Sequence, residues 1–267
     1  MNLDSILETA IQAAQGAGRV LQQHGAVTDI QEKSANHFVT EADLRSEKAI
    51  LDTIGERFPE HRIVSEESLA TENVLQPAVW IVDPLDGTNN FSHSIPLYCV
   101  SIAFATHGQV QVAAVFDPNR NEMYTAVRGK GAWLNGTPIH VSQRGELRQA
   151  IICTGFYYDR GQVMRSTLKA IETLFTQGVR GIRRFGSAAL DLCWVADGRL
   201  DGFFEYQLAP WDYAAGWLLV TEAGGACSER DGRPMSLDAG NVIAGNAPIH
   251  RTLVELVSWS KMLGAES

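Results

Sequence analysis

Two aspartates, a glycine and a threonine stand together in segment 83–88, which reads Asp-Pro-Leu-Asp-Gly-Thr. The carboxylates of Asp83 and Asp86 would repel each other at this spacing, and one would stay protonated unless a cation lay between them. Gly87 permits a backbone turn, and the N–H groups of Gly87 and Thr88 suit an anion such as phosphate. An ordinary turn after a strand is the alternative, since Asp, Pro and Gly are common turn residues. The combination favours a metal site beside an anion site.

Further acidic residues could complete such a site. Glu66 and Glu67 end a predicted strand one element before segment 83–88, so neighbouring strands would place them in the same cleft. Asp212 stands at the start of one predicted helix, and Asp43 lies in the first turn of another. Each also has a structural explanation, because adjacent glutamates are commonly surface residues and acids near a helix N-terminus cap the helix or complement its dipole.

The composition bounds the class of protein and its partners. The chain has 267 residues, of which 45% are hydrophobic and 20% charged, as in a globular protein with one large core or two closely packed domains. The net charge of −9 makes nucleic acid an unlikely ligand, because clustered Lys and Arg bind phosphate backbones. The four cysteines have no paired spacing, which fits a reduced cytoplasmic location. We expect neither an export signal nor a membrane-spanning segment, because no apolar stretch is long enough.

The elements that would position these residues fall into two halves, which we predict as domains at residues 1–143 and 144–267. Hydrophobic spacing predicts helices at residues 3–21 and 41–58, a strand at 79–82 that ends at Pro84, and an antiparallel meander over residues 100–127. In the second half strands and helices alternate, as in an α/β sheet. The predicted strands there are 150–154, 181–184, 202–206 and 241–244, and the predicted helices are 162–175, 187–196, 212–222 and 248–262.

Two long motifs give the chain a family resemblance. Residues 80–93 read Trp-Ile-Val-Asp-Pro-Leu-Asp-Gly-Thr-Asn-Asn-Phe-Ser-His, and residues 211–225 read Trp-Asp-Tyr-Ala-Ala-Gly-Trp-Leu-Leu-Val-Thr-Glu-Ala-Gly-Gly. With Glu66-Glu67 and Thr40-Glu41-Ala42-Asp43, they make the chain resemble the inositol monophosphatase family of magnesium-dependent, lithium-sensitive phosphatases. The resemblance implies a fold of the α+β or α/β class, a layered α/β/α/β/α sandwich of the inositol monophosphatase and fructose-1,6-bisphosphatase type.

The same resemblance implies a set of metal ligands. Glu66, Asp83 and the main-chain oxygen of Leu85 would hold a first Mg²⁺, and Asp83, Asp86 and Asp212 would hold a second. Hard oxygen ligands of this kind are those that Mg²⁺ prefers. A third ion, held by a loop, is a further feature of the resemblance. His37 stands where an acidic residue is common in that loop, which argues against the third ion but leaves the two carboxylate sites intact.

Catalytic and substrate-binding roles follow from the resemblance in the same way. Thr88 paired with Asp43, together with Glu66, would orient and deprotonate the attacking water. Lys33 matches a lysine of a mobile loop over the site, and Glu67 is a neighbour of the site without a firm role. The implied substrate-binding residues are Leu85, Asp86, Gly87, Thr88, Gly186, Ser187, Ala188, Glu205 and Asp212, with Glu205 accepting hydrogen bonds from the hydroxyls of a sugar or cyclitol.

The resemblance implies that the protein hydrolyses inositol monophosphate to inositol and phosphate. It also implies a homodimer, for which Trp259 gives weak additional support. Fructose 1,6-bisphosphate, 3′-phosphoadenosine phosphate and histidinol phosphate are alternative substrates for the same chemistry. Arg180, Arg183 and Arg184 could bind a second phosphate, although a strand edge or a dimer contact is the more ordinary use of them. A different class of function is that of a regulatory partner of the transcription machinery, a role attributed to a bacterial member of the family.

Overall fold

Helices cover both faces of two sheets in this chain, because the central strands are apolar on both faces and must be buried on both. The computed structural model describes residues 2–24, 30–34, 37–68, 73–156, 160–238 and 240–258, with the backbone alone for residues 24, 30–34 and 37–40. From one outer surface to the other, the layers are helix, sheet, helix, sheet and helix. This order confirms the α/β/α/β/α sandwich.

The first outer layer consists of two helices, α1 (Leu3–His24) and α2 (Glu41–Arg57), joined through a hairpin of β1 (Ile30–Ser34) and β2 (His37–Thr40). Both helices were predicted, and α1 runs three residues further than its apolar pattern indicates. Lys33 lies in β1 and His37 in β2. Their side chains lie outside the described part of the chain, so the proposed loop lysine and the third ion stay predictions.

The first sheet has seven strands whose spatial order follows the chain. They are β3 (Arg62–Ser65), β4 (Val79–Asp86), β5 (Cys99–Thr106), β6 (Gln109–Asp117), β7 (Glu122–Val127), β8 (Gly131–Leu134) and β9 (Thr137–Pro138). Strands β3 and β4 are parallel, and every later pair is antiparallel, which confirms the meander. Because β3 and β4 are neighbours, Glu66 follows its strand beside the end of β4, as predicted.

The prediction that Pro84 ends its strand was wrong. Strand β4 continues to Asp86, and its pairing with β5 shifts between Asp83, which lies opposite Ser101, and Asp86, which lies opposite Cys99. One extra residue on β4 forms a bulge, where a proline is tolerated because a ladder hydrogen bond is already missing. The bulge has a consequence for the site. Residues three apart in a regular strand face opposite sides, but Asp83 and Asp86 oppose residues two apart and so emerge on one face.

The two faces of β4 enter different cores. Trp80 and Val82 pack under α1 and α2, whereas Val79 and Ile81 face the middle layer of helices. This is the period of two expected for a strand that is buried on both sides. Strand β4 is therefore held between the first and the third layer, and its carboxyl end delivers the two aspartates from a rigid support.

The second sheet and the remaining helices form the rest of the sandwich. The sheet has the order β11 (Gly181–Arg183), β10 (Ile151–Thr154), β12 (Gly202–Tyr206), β14 (Asn241–Gly245) and β13 (Ala226–Ser228), of which β13 was not predicted. The helices are α3 (Thr88–Ser92), α4 (Gln162–Thr176), α5 (Ala188–Ala196), α6 (Pro210–Glu222) and α7 (Ala247–Val257), with a 3₁₀ turn at Leu147–Gln149. The prediction that the last helix runs unbroken to residue 262 was wrong, because α7 ends at Val257 and Ser258 has an extended backbone. Trp259 lies outside the described residues.

Helices α5 and α6 form the middle layer between the two sheets, and α4 and α7 cover the outer face of the second sheet. Gly216 of α6 lies so close to α5 that a Cβ at this position would stand 2.5 Å from Cβ of Leu192. The absence of a side chain at Gly216 thus permits close contact between the two helices. The middle core contains residues of both halves, such as Val64 and Leu218, and the division at residue 143 stays a prediction.

None of the helices in the described part of the chain is both long enough and apolar enough to span a lipid bilayer.

Candidate active site

A cavity of about 550 Å³ opens where β4, β12 and the first turns of α5 and α6 meet. The carboxyl-terminal ends of β4 and β12 and the N-termini of α5 and α6 meet at this point, and ligands of α/β proteins commonly bind at such strand ends. Ten of the residues predicted from the sequence line the cavity: Glu66, Asp83, Leu85, Asp86, Gly87, Thr88, Gly186, Ala188, Glu205 and Asp212.

The carboxylate of Asp86 joins the two halves of the molecule. Its Oδ2 accepts hydrogen bonds from the Ser187 hydroxyl and from the Ala189 backbone N–H, each at 2.7 Å. Ser187 caps α5 by accepting from the Leu190 N–H. The first turn of α5 therefore binds one oxygen of Asp86 as a helix N-terminus binds an anion.

Asp212 occupies a different position in its helix from the one predicted. Helix α6 begins at Pro210 after the cap residue Ala209, so Asp212 is its third residue and not its cap. Its Oδ2 accepts the backbone N–H of Ala209 at 2.7 Å, which closes the first turn. The predicted start at Asp212 missed the proline, which is favoured at the first position of a helix.

The carboxylates that face the cavity raise one another's pKa. Burial raises the pKa of Asp83 well above its ordinary value, and the negative charges of Glu66, Asp86 and Asp212 raise it further. Burial likewise raises the pKa of Asp212, with Glu66 and Asp86 adding to the effect. Burial raises the pKa of Asp86 to about 6, even though the hydrogen bonds from Ser187 and Ala189 oppose the change. A bound cation would stabilise the ionised form of buried acids whose pKa is raised in this way.

The donor set fits magnesium by its chemistry. All the groups are hard oxygens, namely the carboxylates of Glu66, Asp83, Asp86 and Asp212 and the carbonyl of Leu85. Across the residues that the structure describes, no group of three or more acidic, histidine or cysteine side chains is arranged so that it could hold a metal ion by itself. Magnesium does not require such a cage, because it is usually held by one or two carboxylates, substrate phosphate and several waters.

Thr88 lies between the cavity and α2. Its hydroxyl is 3.2 Å from Oδ1 of Asp43 and 3.1 Å from the carbonyl oxygen of Leu85. Asp43 is buried behind Thr88 and does not line the cavity. The structure thus brings together the predicted Thr88–Asp43 pair, in which a buried carboxylate faces a hydroxyl at the cavity wall.

Gly87 makes the turn that the sequence predicts before α3. It has a φ of 100°, in the left-handed region that favours glycine, and a Cβ there would lie 2.9 Å from the carbonyl oxygen of Leu97. The next link is made by Asn90, which donates to the carbonyls of Leu97 and Phe185 at 2.8 and 2.7 Å. The turn is thereby fastened to the second half of the chain.

Glu205 lies in β12 and lines the same cavity as Asp83. Its side chain is 9% exposed, and burial raises its pKa to about 8, against the opposing positive charge of Arg184. Arg184 also lines the cavity, whereas Arg180 and Arg183 do not. The lining of the cavity therefore includes five acids and one guanidinium.

Three predicted residues lie outside the cavity wall. Ser187 is fully buried and its hydroxyl binds Asp86, so the structure places it behind the wall that Ala188 forms. Asp43 stands behind Thr88, and Glu67 follows Glu66 without lining the cavity. Sequence reasoning missed Asn89, Gly155, Phe156, Gln207, Leu208, Ala209 and Trp211, which complete the wall. Gly155 directly follows the predicted strand 150–154, but the sequence gives no signal that this strand pairs with β12.

Comparison with known proteins agrees with this geometry. The family model described as the inositol monophosphatase family matches residues 2–261. The chain is 43% identical over 252 residues to the protein named Nus factor SuhB of Salmonella typhimurium, which covers 93% of this chain and 94% of that protein. It is 42% identical over 259 residues to the inositol-1-monophosphatase of Synechocystis, which covers 96% of this chain and 90% of that protein.

A solved structure shows the same fold. The extragenic suppressor protein suhB of Bartonella henselae matches with a TM-score of 0.89 at 38% identity, over 96% of this chain and 99% of that chain. The family match extends along nearly the whole chain, and the relatives align with it over almost their full length. The chain therefore belongs to the inositol monophosphatase family.

Proposed function

We propose that this protein hydrolyses a phosphate monoester with the help of magnesium, and that inositol monophosphate is its first candidate substrate. The observation that carries the proposal is the convergence of Glu66, Asp83, Asp86 and Asp212 in one cavity whose wall also includes Glu205. Several acids in one cleft attract divalent cations, and a further acid suits the hydroxyls of an alcohol. Membership of the family supports both assignments.

The metal ligands we propose are those of the donor set. Glu66, Asp83 and the Leu85 carbonyl oxygen would hold one Mg²⁺, and Asp83, Asp86 and Asp212 would hold another. When bound, magnesium supplies positive charge to the phosphate and to the leaving oxygen and makes water more acidic. Because one oxygen of Asp86 is occupied by α5, the other oxygen is the one offered to the cavity.

The chain's own groups position the reactants. Asp43 accepts a hydrogen bond from the Thr88 hydroxyl, which leaves the lone pairs of Thr88 to accept a hydrogen bond from the attacking water. Glu66 is the second acceptor for that water. The backbone N–H groups of Gly87 and Thr88 would bind phosphate oxygens, as the turn before a helix does. Ser187 supports Asp86, and the neighbouring Gly186 and Ala188 form the wall against which the substrate lies.

A phosphate-release screen tests the proposal directly. The protein would be assayed with saturating magnesium on inositol 1-phosphate, fructose 1,6-bisphosphate, 3′-phosphoadenosine phosphate, histidinol phosphate and p-nitrophenyl phosphate. We expect release from inositol 1-phosphate that stops when the magnesium is chelated. Equal rates with and without chelator would contradict the metal-dependent mechanism, and preference for a bisphosphate would assign the second phosphate to Arg184, which lines the cavity.

Replacing Glu205 with alanine is expected to change substrate preference more than the chemistry. Glu205 is not one of the proposed metal ligands, so its loss removes a hydrogen-bond acceptor for the alcohol and no ligand of the ions. The cost should be about 1–3 kcal/mol in kcat/KM for substrates that use it. Steady-state rates on inositol 1-phosphate and p-nitrophenyl phosphate measure the difference. A similar loss on both substrates would contradict the assignment of Glu205 to the alcohol.

Lithium is expected to inhibit turnover in the presence of magnesium. A small hard monocation can occupy the oxygens of Asp83, Asp86 and Asp212, but it supplies less charge than Mg²⁺ for the leaving oxygen. Inhibition should therefore persist when more substrate is added. Initial rates against lithium chloride, with matched sodium and potassium chloride controls, measure it. Equal effects of lithium and sodium across the millimolar range would remove lithium sensitivity from the proposal.

A second candidate function is that of a partner of the transcription machinery, and the relatives named Nus factor SuhB favour it. Such a role does not require turnover, so it can be separated from catalysis by a variant. Affinity capture from a cell lysate with wild-type protein and with Asp83→Asn makes the comparison. Recovery of RNA polymerase by both proteins would support a binding role that is independent of the reaction, and its absence from both would count against that role.

We propose further that the protein is a cytoplasmic homodimer. The described cysteines, Cys99, Cys153, Cys193 and Cys227, are all free thiols, which fits a reducing compartment. The proposal of a dimer rests on family membership. Light scattering at micromolar concentration tests it, and the mass of a monomer would contradict it.

A further inference from the structure

We propose that Gly155 determines which alcohols the cavity accepts, because the Glu205 carboxylate lies in the space that a side chain at residue 155 would fill. The inference rests on the proposed function, since it takes Glu205 as the group that binds the hydroxyls of the substrate. Gly155 would then be a positioning residue, acting through Glu205. Polyol phosphates with several free hydroxyls are the substrate class it would favour over phosphates of simple aromatic alcohols.

The contact follows from the register of the second sheet. Strands β10 and β12 are parallel, with Cys153 opposite Phe203 and Thr154 opposite Phe204. Gly155 therefore comes next to Glu205 at the carboxyl ends of the two strands, where both line the cavity. A Cβ placed on Gly155 would lie 2.1 Å from Oε1, 2.1 Å from Oε2 and 2.3 Å from Cδ of Glu205. The carboxylate thus lies directly over the glycine.

The short distances from this Cβ position to the Glu205 carboxylate show that an added methyl group would displace the carboxylate. Ordinary contacts of a Cβ lie at 3.4 Å or more, so the carboxylate would have to move by more than about 1 Å. The atoms in conflict are the far end of a flexible side chain and not backbone. Gly245 is a contrast, because a Cβ there would lie 2.9 Å from the main-chain oxygen of Asp201. We therefore expect alanine at residue 155 to displace a functional group while leaving the fold intact.

The backbone of Gly155 also permits the substitution. Its φ is outside the left-handed region, unlike that of Gly186, whose φ is 91°. Alanine at residue 155 adds no backbone strain of the kind that would confuse the interpretation at Gly186. A displacement of about 1 Å in a group that binds the substrate can cost a large factor in rate, because hydrogen bonds and the alignment of the reacting atoms depend on it.

The first experiment compares Gly155→Ala with wild type and with Gly55→Ala, a control in α2 where a Cβ meets nothing within 4 Å. Inositol 1-phosphate and p-nitrophenyl phosphate are assayed at saturating magnesium. We expect Gly155→Ala to raise KM and lower kcat/KM for inositol 1-phosphate by at least about tenfold. Its rate on p-nitrophenyl phosphate should fall by less than about threefold, and its melting temperature should match that of wild type. Gly55→Ala should keep the wild-type ratio of the two substrates.

A rescue separates positioning from general damage. Aspartate is one methylene shorter than glutamate, so Glu205→Asp withdraws the carboxylate from an alanine at residue 155. The double variant Gly155→Ala/Glu205→Asp should therefore recover part of the inositol 1-phosphate activity that Gly155→Ala loses, whereas Glu205→Asp alone should lose activity.

Three results would overturn the inference. They are wild-type selectivity in Gly155→Ala, equal losses on both substrates, and a double variant that is no better than Gly155→Ala. Failure of the proposed function would give a different result, namely wild-type protein that releases phosphate from neither substrate. That result would also overturn the substrate role of Gly155.

Discussion

Asp83→Asn is expected to reduce phosphate release at saturating magnesium by at least about 10³-fold, the largest loss of any single substitution in this site. Asp83 is the one side chain that we assign to both metal ions, and asparagine offers a neutral oxygen in place of a charged one. Several kcal/mol of charge stabilisation depend on the ions, and each 1.4 kcal/mol is worth about a factor of ten in rate. The side chains differ little in size, so the fold should be kept.

The measurement is a single-turnover and a steady-state rate on inositol 1-phosphate across a magnesium titration. Asp52→Asn is the matched control, because Asp52 is an exposed acid of α2 that pairs with Lys48 far from the cavity. We expect that control to behave as wild type. Turnover of Asp83→Asn within tenfold of wild type at high magnesium would show that Asp83 does not bind a catalytic ion. A strongly lowered melting temperature would mean that its role is structural.

The second large effect is on stability, and it should depend on both pH and magnesium. The pKa of Asp86 rises from its ordinary 3.8 to about 6 in the folded chain without metal, so the folded protein binds this proton more tightly than the unfolded chain does. Stability from this group is present below the ordinary value and is lost as the pH rises through about 6. Each pKa unit corresponds to about 1.4 kcal/mol, so Asp86 alone accounts for about 3 kcal/mol at pH 8. Asp83 and Asp212 shift in the same direction.

A bound divalent cation should cancel this loss, because it favours the ionised carboxylates. We expect the melting temperatures of magnesium-loaded and chelator-treated protein to be close at pH 4 and to separate by roughly 6–12 °C at pH 8. Differential scanning calorimetry at constant ionic strength measures the gap, with Asp83→Asn expected to show a smaller one. A gap that is the same at both pH values would contradict the idea that these acids are held together by a cation.

Sequence reasoning predicts the parts of the site that depend on local chemistry. Gly87 was expected to turn the chain before a helix, and its φ of 100° shows the turn. Thr88 and Asp43 were expected to meet, and they do at 3.2 Å. For Gly87 the residue type suffices, because a left-handed turn favours glycine. The Thr88–Asp43 pair was implied by the family resemblance instead, since the two residues lie 45 positions apart and their types alone do not predict that they meet.

The parts that could not be predicted depend on pairing between distant elements. The bulge after Asp83 exists only in relation to Ser101 and Cys99 of the neighbouring strand, and no feature of segment 83–88 shows it. Ser187 lies in a motif assigned to the substrate, but the sequence does not say which side of a helix cap faces the cavity. Gly155 belongs to no motif, and only the register of β10 against β12 brings it under Glu205.

The first turn of α5 has a use in the laboratory that follows from its contact with Asp86. The backbone N–H of Ala189 donates a hydrogen bond to a carboxylate oxygen of Asp86, and such a hydrogen bond is shorter and stronger when the carboxylate is ionised. The amide resonance of Ala189 in an NMR spectrum should therefore shift whenever the charge on Asp86 changes. A single assigned amide, inside a helix and away from solvent, would report the state of the acidic cluster without a chromogenic substrate or an added label.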